Sequence, residues 1–266
     1  CYSIIMSIFN PQFVNMKRLS YLLLLLLIPA AFESCQSGET ASENILRVGS
    51  SSASVSPPAG TYIAGDKQNR TFTGVHDDLY AKAVVIDDGQ NALAILTIDC
   101  IGLMHTDLQR IRQKVSELSD FPAVNIVVSS THTHSGPDVV GIWGPDLQHT
   151  GVDSVYMDFL TTTAAKQIIA ADQNKVQVQI RTGESTYGEG WVENICNEEI
   201  DRSVSVIQFS DTEGNSVASL TNFACHPTFM DATYTEVSAD YVAGFYQALD
   251  SAWGGENLFL QGAIGG

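Results

Sequence analysis

Two apolar runs, residues 79–86 and 93–99, stand on either side of Asp87-Asp88-Gly89, and this arrangement predicts a β-hairpin. The residues after the hairpin narrow the fold further. Residues 106–118 carry Leu108, Ile111, Val115 and Leu118 at helical spacing, with Thr106 and Gln109 placed to form a capping box. A short apolar run, residues 124–129, then predicts a buried strand. Downstream, a helix is expected over 155–171, started by Ser154. Strands are expected over 176–182, 203–209 and 217–224, the last two joined through Glu213-Gly214-Asn215. A helix over 239–252 capped by Ser238 and a short strand at 258–260 complete the series. Upstream, residues 45–60 read as a strand and a turn marked by Pro57-Pro58 and Gly60. Strands and helices alternate without an internal repeat, so the expected class is α/β, a mixed β-sheet with flanking helices.

The N-terminal region has a different character. Lys17 and Arg18 precede an apolar run over 19–28, which is within the span of a signal core and too short to cross a bilayer. Ser34-Cys35 comes next. This pattern resembles a bacterial lipoprotein signal, with Cys35 as the lipidated first residue, although Phe32 and Glu33 depart from the usual box. Plain secretion with cleavage nearby and an uncleaved anchor are the alternatives. The expected division is an upstream extension at 1–15, a signal peptide at 16–34, a polar tether at 35–45 and a catalytic domain over 46–266. The protein is then exported and held on the periplasmic or cell-surface side of a bacterial membrane. Beyond Cys35 only Cys100, Cys196 and Cys225 remain, an odd number that rules out a complete disulfide framework and reads as buried free thiols. The net charge of −17, from 13 basic and 30 acidic residues, repels phosphate backbones and argues against a nucleic-acid partner.

Two segments carry the chemistry. Ser129-Ser130-Thr131-His132-Thr133-His134-Ser135-Gly136-Pro137 places two histidines just past a buried strand. In an extended segment residues i and i+2 project to one side, so both imidazoles would face one pocket before Gly136-Pro137 turns the chain. In Asn222-Phe223-Ala224-Cys225-His226-Pro227 a second strand ends in a histidine whose backbone Pro227 keeps extended. If the two strands run parallel, His226 and His132 reach the same edge. A core histidine satisfied by hydrogen bonds is the competing reading of His226.

With these motifs in hand, the chain resembles the neutral, non-lysosomal ceramidase family. The resemblance rests on HTHSGP at 132–137 and NFACH at 222–226. It extends, in order, to VGSSSASVSPPAG, LYAKAVVIDDG, TIDCIGL, SADY at 238–241 and LQGAIG at 260–265. It implies a Zn2+ site with His132 and His226 as ligands, and hydrolysis of an amide bond in ceramide or a related N-acyl lipid. His134 is then the candidate for stabilising the oxyanion or protonating the leaving amine, and Asp99 and Asp240 are candidates for orienting the ligands from behind. A Glu and a Tyr ligand are expected past Gly266, so the sheet is expected to be truncated at its C-terminus and the site incomplete within these residues. Asp138 follows Pro137 in place of the usual Gly-Gly, and Asn194-Ile195-Cys196 stands where relatives often carry Asn-Arg; the loss of that Arg weakens the case for ceramide itself more than for amide hydrolysis. A zinc hydrolase of another amide or ester, or a surface lipoprotein that binds ligand without turnover, are the alternatives.

The leader generates the first prediction. Replacing Cys35 with Ala is expected to release the protein from membrane fractions. Retention of an uncleaved Cys35→Ala chain in the membrane would identify residues 19–28 as part of an anchor.

Overall fold

The structure, a computed structural model, describes residues 45–265 apart from 197, 198 and 231, all within one compact unit spanning residues 43–266. Cys35, the leader and all but the last residue of the tether lie outside the described residues.

The chain opens with β1 (Arg47–Ser54) and the two-residue β2 (Gly74–Val75), then forms the expected hairpin from β3 (Tyr80–Asp87) and β4 (Ala92–Ile98). Helix α1 (His105–Leu118), a short 3-10 turn and β5 (Ile126–Ser130) come next, and then α2 (Ser154–Gln173). Strands β6 (Val176–Thr186), β7 (Ser203–Asp211) and β8 (Ser216–Phe223) precede the two-residue β9 (Glu236–Val237). Helix α3 (Tyr241–Ala252) and β10 (Glu256–Gln261) finish it. Each predicted helix and strand is present, and the α/β class with a mixed sheet holds.

Eight strands form one sheet in the order β10-β8-β7-β6-β1-β3-β4-β5, with parallel pairing only at β10–β8 and β4–β5. The β1–β6 pairing spans two residue pairs, Arg47↔Gln177 and Val48↔Val176, and there the sheet folds over on itself. The Thr97 hydroxyl on β4 donates to the Phe259 carbonyl of β10 at 2.9 Å, and the Ser50 hydroxyl on β1 donates to the Val217 carbonyl of β8 at 2.9 Å. A small core of Val48, Val84, Phe209, Leu220 and Leu258 lies between the halves. The larger core lies on the other face of β1, β3 and β4, where Ala83, Val85, Leu96 and Ile98 meet Ile111, Val115, Leu160 and Ile168 from α1 and α2.

Several local expectations change. The capping box at Thr106 and Gln109 does not form: α1 starts one residue earlier, with Met104 as a cap that makes no side-chain bond. Its inward stripe is Asp107, Ile111 and Val115, while Leu118 at the end of the helix is 58% exposed. Helix α2 is capped by Asp153, whose carboxylate accepts from the Val155 and Tyr156 amides, so Ser154 is its first residue and not its cap. Helix α3 is capped by Asp240 and not Ser238. In both cases a carboxylate near the expected cap took the position, as acceptors with full charge do at a helix N-terminus.

Close packing of α2 on β1 depends on Gly49. A Cβ there would stand 2.0 Å from the Ala171 carbonyl oxygen and 2.4 Å from the Asn174 side-chain oxygen. Gly49→Ala is therefore expected to push the end of α2 off the sheet and lower the unfolding free energy by about 1–3 kcal/mol, measured by urea denaturation.

Candidate metal centre

The end of β5 and the segment leaving β4 build the first half of the site. The Thr131 amide donates to the Ile98 carbonyl at 3.1 Å, and the His132 amide donates to the Cys100 carbonyl at 2.9 Å. These bonds hold His132 at φ +70, a left-handed backbone that a side chain other than glycine adopts only under constraint. The segment is therefore not extended through His132, contrary to the expectation, yet both histidines still reach one pocket. Thr131 and Thr133 are fully buried on either side of His132, and the Thr133 hydroxyl donates to the Ser238 carbonyl at 2.8 Å.

The rings converge. His132 and His134 have ring centroids 5.2 Å apart, His132 and His226 4.7 Å, and His134 and His226 4.9 Å. One nitrogen from each of the three lies within 4.8 Å of the others, a group able to hold a metal ion. The tightest approach is between His134 Nε2 and His226 Nε2 at 3.0 Å. His132 and His226, the expected ligand pair, are thus brought together, and His134 sits with them and not apart.

Each ring is aimed by its surroundings. His132 Nδ1 lies 2.5 Å from the Ile101 carbonyl, which can only accept, so the proton sits on Nδ1 and Nε2 is free to bind. Gly65, at φ +88, lies flat on His134, with its missing Cβ 2.7 Å from Nδ1. That contact covers a buried Nδ1 without a hydrogen-bond partner and turns Nε2 toward His226. The His134 amide donates to the Pro227 carbonyl at 3.3 Å, tying the two histidine loops together, and the Tyr241 hydroxyl donates to the Cys225 carbonyl beside His226 at 2.7 Å.

The strands that carry the histidines do not run parallel. From β8 to β5 the sheet passes five antiparallel pairings and one parallel one, so the two strands oppose each other in the ladder. The histidines meet because the sheet folds over and β10, the neighbour of β8, crosses β3, β4 and β5.

Asp99 and Asp240, the candidates for orienting the ligands from behind, make no hydrogen bond to the three imidazoles. Asp99 is buried, and its carboxylate accepts from the Tyr80 amide at 2.8 Å and the Tyr246 hydroxyl at 3.0 Å. Asp240, at φ 60, accepts from the Tyr241 amide at 2.6 Å and the Met230 amide at 2.9 Å, so it fastens the loop after His226. Sequence reasoning missed Asp66, whose charge opposes the depression of both His134 and His226 and which pairs with Arg70 at 3.8 Å. A lone Asp in a turn gives no signal of this. Two cavities, about 590 Å³ beside α1 and about 450 Å³ lined by His76, Tyr80, Lys82, Tyr246 and Glu256, are lined by none of the three clustered histidines. His76 and His149 are loop residues bonded to Asp77 and Asp146 and take no part in the cluster.

The electrostatics suit a cation. Burial, then the neighbouring His226 and His132, pushes the His134 ring down to about 4. Burial, then His132, lowers His226 as well. Unprotonated imidazoles are the form that binds metal, so the donor set fits one.

Three imidazoles clustered past strand ends give this α/β chain a group able to hold a metal ion. The family model for neutral/alkaline non-lysosomal ceramidase, N-terminal, matches residues 47–248, and the chain belongs to this family. It is 25% identical over 209 residues to neutral ceramidase A of Dictyostelium discoideum, covering 69% of this chain and 29% of the relative. It is 24% identical over 202 residues to neutral ceramidase of Drosophila melanogaster, covering 66% and 27%. The crystal structure of neutral ceramidase from Pseudomonas aeruginosa superposes with a TM-score of 0.69 at 18% identity, over 82% of this chain and 38% of that one, a likeness of fold. The chain thus spans under a third of the length of these two curated relatives.

The lowered histidines predict a pH dependence. As pH falls from about 6.5 toward 4 the unfolded chain binds protons that folded His134 refuses, so this contribution to stability is present above 6.5 and lost by about 4. Asp99 acts in the opposite sense. Burial pushes its carboxyl up to about 6, so its contribution is present below the unfolded carboxylate value and lost as pH rises through 6. In the metal-free chain the His134 ring resonances are expected to titrate near pH 4 by NMR; a midpoint near 6.5 would show the cluster to be solvated and open.

Proposed function

We propose that the histidine cluster is the zinc-binding half of a site that hydrolyses the amide bond of ceramide or a related N-acyl lipid. The observation that carries this reading is the convergence of His132, His134 and His226 within 4.8 Å, in a chain of the ceramidase family. His132 and His226 would hold the ion, His132 through the Nε2 that its bond to the Ile101 carbonyl leaves free, and His226 through a ring nitrogen on the side where its Nε2 lies 3.0 Å from His134 Nε2. Bound there, zinc would bring the pKa of a water to about 7 and polarise the amide carbonyl, both needed because an amide is a poor electrophile. His134 is the third group in reach. Burial pushes its ring down to about 4 in the metal-free chain, which favours donation of an N–H bond to the developing oxyanion; protonating the leaving amine is the other role the resemblance gives it. Hydrolysis breaks the C–N bond, leaves the acyl group as a carboxylic acid and returns a proton to the amine.

The 3.0 Å approach of His134 to His226 favours a second reading, in which His134 is itself a ligand. Variants separate the two. If His134 acts on substrate, His134→Ala keeps most of the zinc affinity that His132→Ala and His226→Ala lose. If it is a ligand, all three lose affinity alike. The activity test is zinc-dependent release of fatty acid from a fluorescent N-acyl sphingosine by a protein carrying these residues together with the downstream ligands implied by the resemblance. The expected outcome is turnover that falls by roughly 10²-fold or more in His132→Ala; undiminished turnover in that variant would overturn the assignment. Export and lipid anchoring at Cys35 belong to the same proposal. The leader pattern supports them, and they would hold the enzyme beside a lipid substrate.

A further inference from the structure

Asp99 is an expensive residue to bury, and it touches no imidazole. Its position shows what it can do. The segment 98–101 leaving β4 is the template on which the first histidine is laid: the Ile98 carbonyl takes the Thr131 amide, the Cys100 carbonyl takes the His132 amide, and the Ile101 carbonyl takes His132 Nδ1. The Asp99 side chain anchors this segment from beneath. Its two carboxylate oxygens are held by different elements, the Tyr80 amide at the start of β3 and the Tyr246 hydroxyl on α3. The Asp99 amide donates to the Tyr80 carbonyl at 3.0 Å, so the two residues grip each other through both backbone and side chain. Tyr246 is fixed in turn. Its ring lies 4.4 Å from the Lys82 ammonium, which also bonds Glu256 at 3.3 Å.

From this chain of contacts we propose that Asp99, held by Tyr246, is a positioning residue that sets the tautomer and aim of His132 through the Ile101 carbonyl. The proposal rests on the reading of His132 as a metal ligand, but its mechanism is a property of the metal-free protein. Loosening the brace lets the Ile101 carbonyl drift from Nδ1. The imidazole proton then distributes between both nitrogens, and Nε2 is no longer reserved for a cation. Groups that hold a ligating histidine by its far nitrogen typically change metal affinity by about 10–100-fold when removed; here that effect would be transmitted through the short segment between Asp99 and Ile101.

The test uses the 266-residue chain and the variants Asp99→Asn and Tyr246→Phe, with Lys114→Met, which breaks a pair with Asp158 outside this chain of contacts, as the control. Long-range 15N NMR of the metal-free proteins reads the His132 tautomer directly, and competition with a chromophoric chelator reads zinc affinity. In the parent chain His132 is expected as the Nδ1–H tautomer. In Asp99→Asn and Tyr246→Phe a mixture of tautomers is expected, with zinc affinity about tenfold lower, while Lys114→Met stays within about threefold of the parent. Thermal midpoints separate this from general damage. Asp99→Asn removes a carboxyl that the fold raises, so at about pH 7.5 it should be at least as stable as the parent while binding zinc more weakly. Folded variants with an unchanged His132 tautomer would overturn the proposal even if zinc binds. A shifted tautomer in variants of a chain that binds no zinc would uphold the brace and overturn the metal reading instead.

Discussion

An imidazole can bind a metal only through a nitrogen that carries no proton, and in this fold the Ile101 carbonyl settles that question for His132. Much else depends on that one acceptor. Because the carbonyl leaves the C-terminal end of β4, the first histidine must sit on the strand that pairs with β4, and β5 does so in parallel register from Ala94↔Ile126 to Ile98↔Ser130. A parallel pair needs a crossover, and α1 supplies it, covered by α2 on the same face of the sheet. The left-handed backbone at His132 is held by the same segment. It is the local strain of a residue drawn out of line to satisfy two carbonyls at once.

The second histidine arrives by a different route. Nothing in β8 directs it toward β5, since the ladder sets the two strands in opposition. The fold of the sheet at the short β1–β6 pairing joins them, because it brings β10 across β3, β4 and β5. The loop after β8 is then fixed at several points. The Cys225 carbonyl accepts from Tyr241, the Pro227 carbonyl from the His134 amide, and the Met230 amide is held by Asp240. The site is thus a junction of two loops locked by backbone carbonyls, and the side chains that lock it come mainly from the start of α3.

These two routes explain how much of the molecule is legible in the sequence. Period-two and helical spacing identify the strands and helices, because they report burial within a single element. The hairpin at Asp87-Asp88-Gly89 and the strand before His132 are read directly in this way. Caps at Asp153 and Asp240 are missed by one or two residues, because Ser, Thr and Asp compete for the same position and the winner depends on the incoming chain. The meeting of His132, His134 and His226 is foreshadowed by the motifs and by the family resemblance. The reason they meet is not, since it lies in the folding of a sheet whose ends are far apart in sequence. Asp99 shows the same limit. Its presence behind the site is legible, but its partners Tyr80 and Tyr246 come from two other elements, and no local pattern says that it grips a peptide segment and not a ring.

The energetics of the site concentrate in one place what the rest of the molecule avoids. His132 carries a disfavoured backbone, Asp99 holds a carboxylate in the core, and His134 is kept unprotonated with a buried Nδ1 lacking a partner. Each opposes folding in the metal-free chain, and Asp99 and His134 do so over opposing pH ranges. The two sheet faces and the helices α1 and α2, built from aliphatic side chains in ordinary geometry, offset these costs elsewhere. A cation placed among the rings would take up ring nitrogens, two of which now form a 3.0 Å contact, and it would favour the unprotonated form that burial already imposes on His134 and His226. The arrangement is therefore one in which the folded chain without metal is the strained form, and ion binding and stability are expected to rise together.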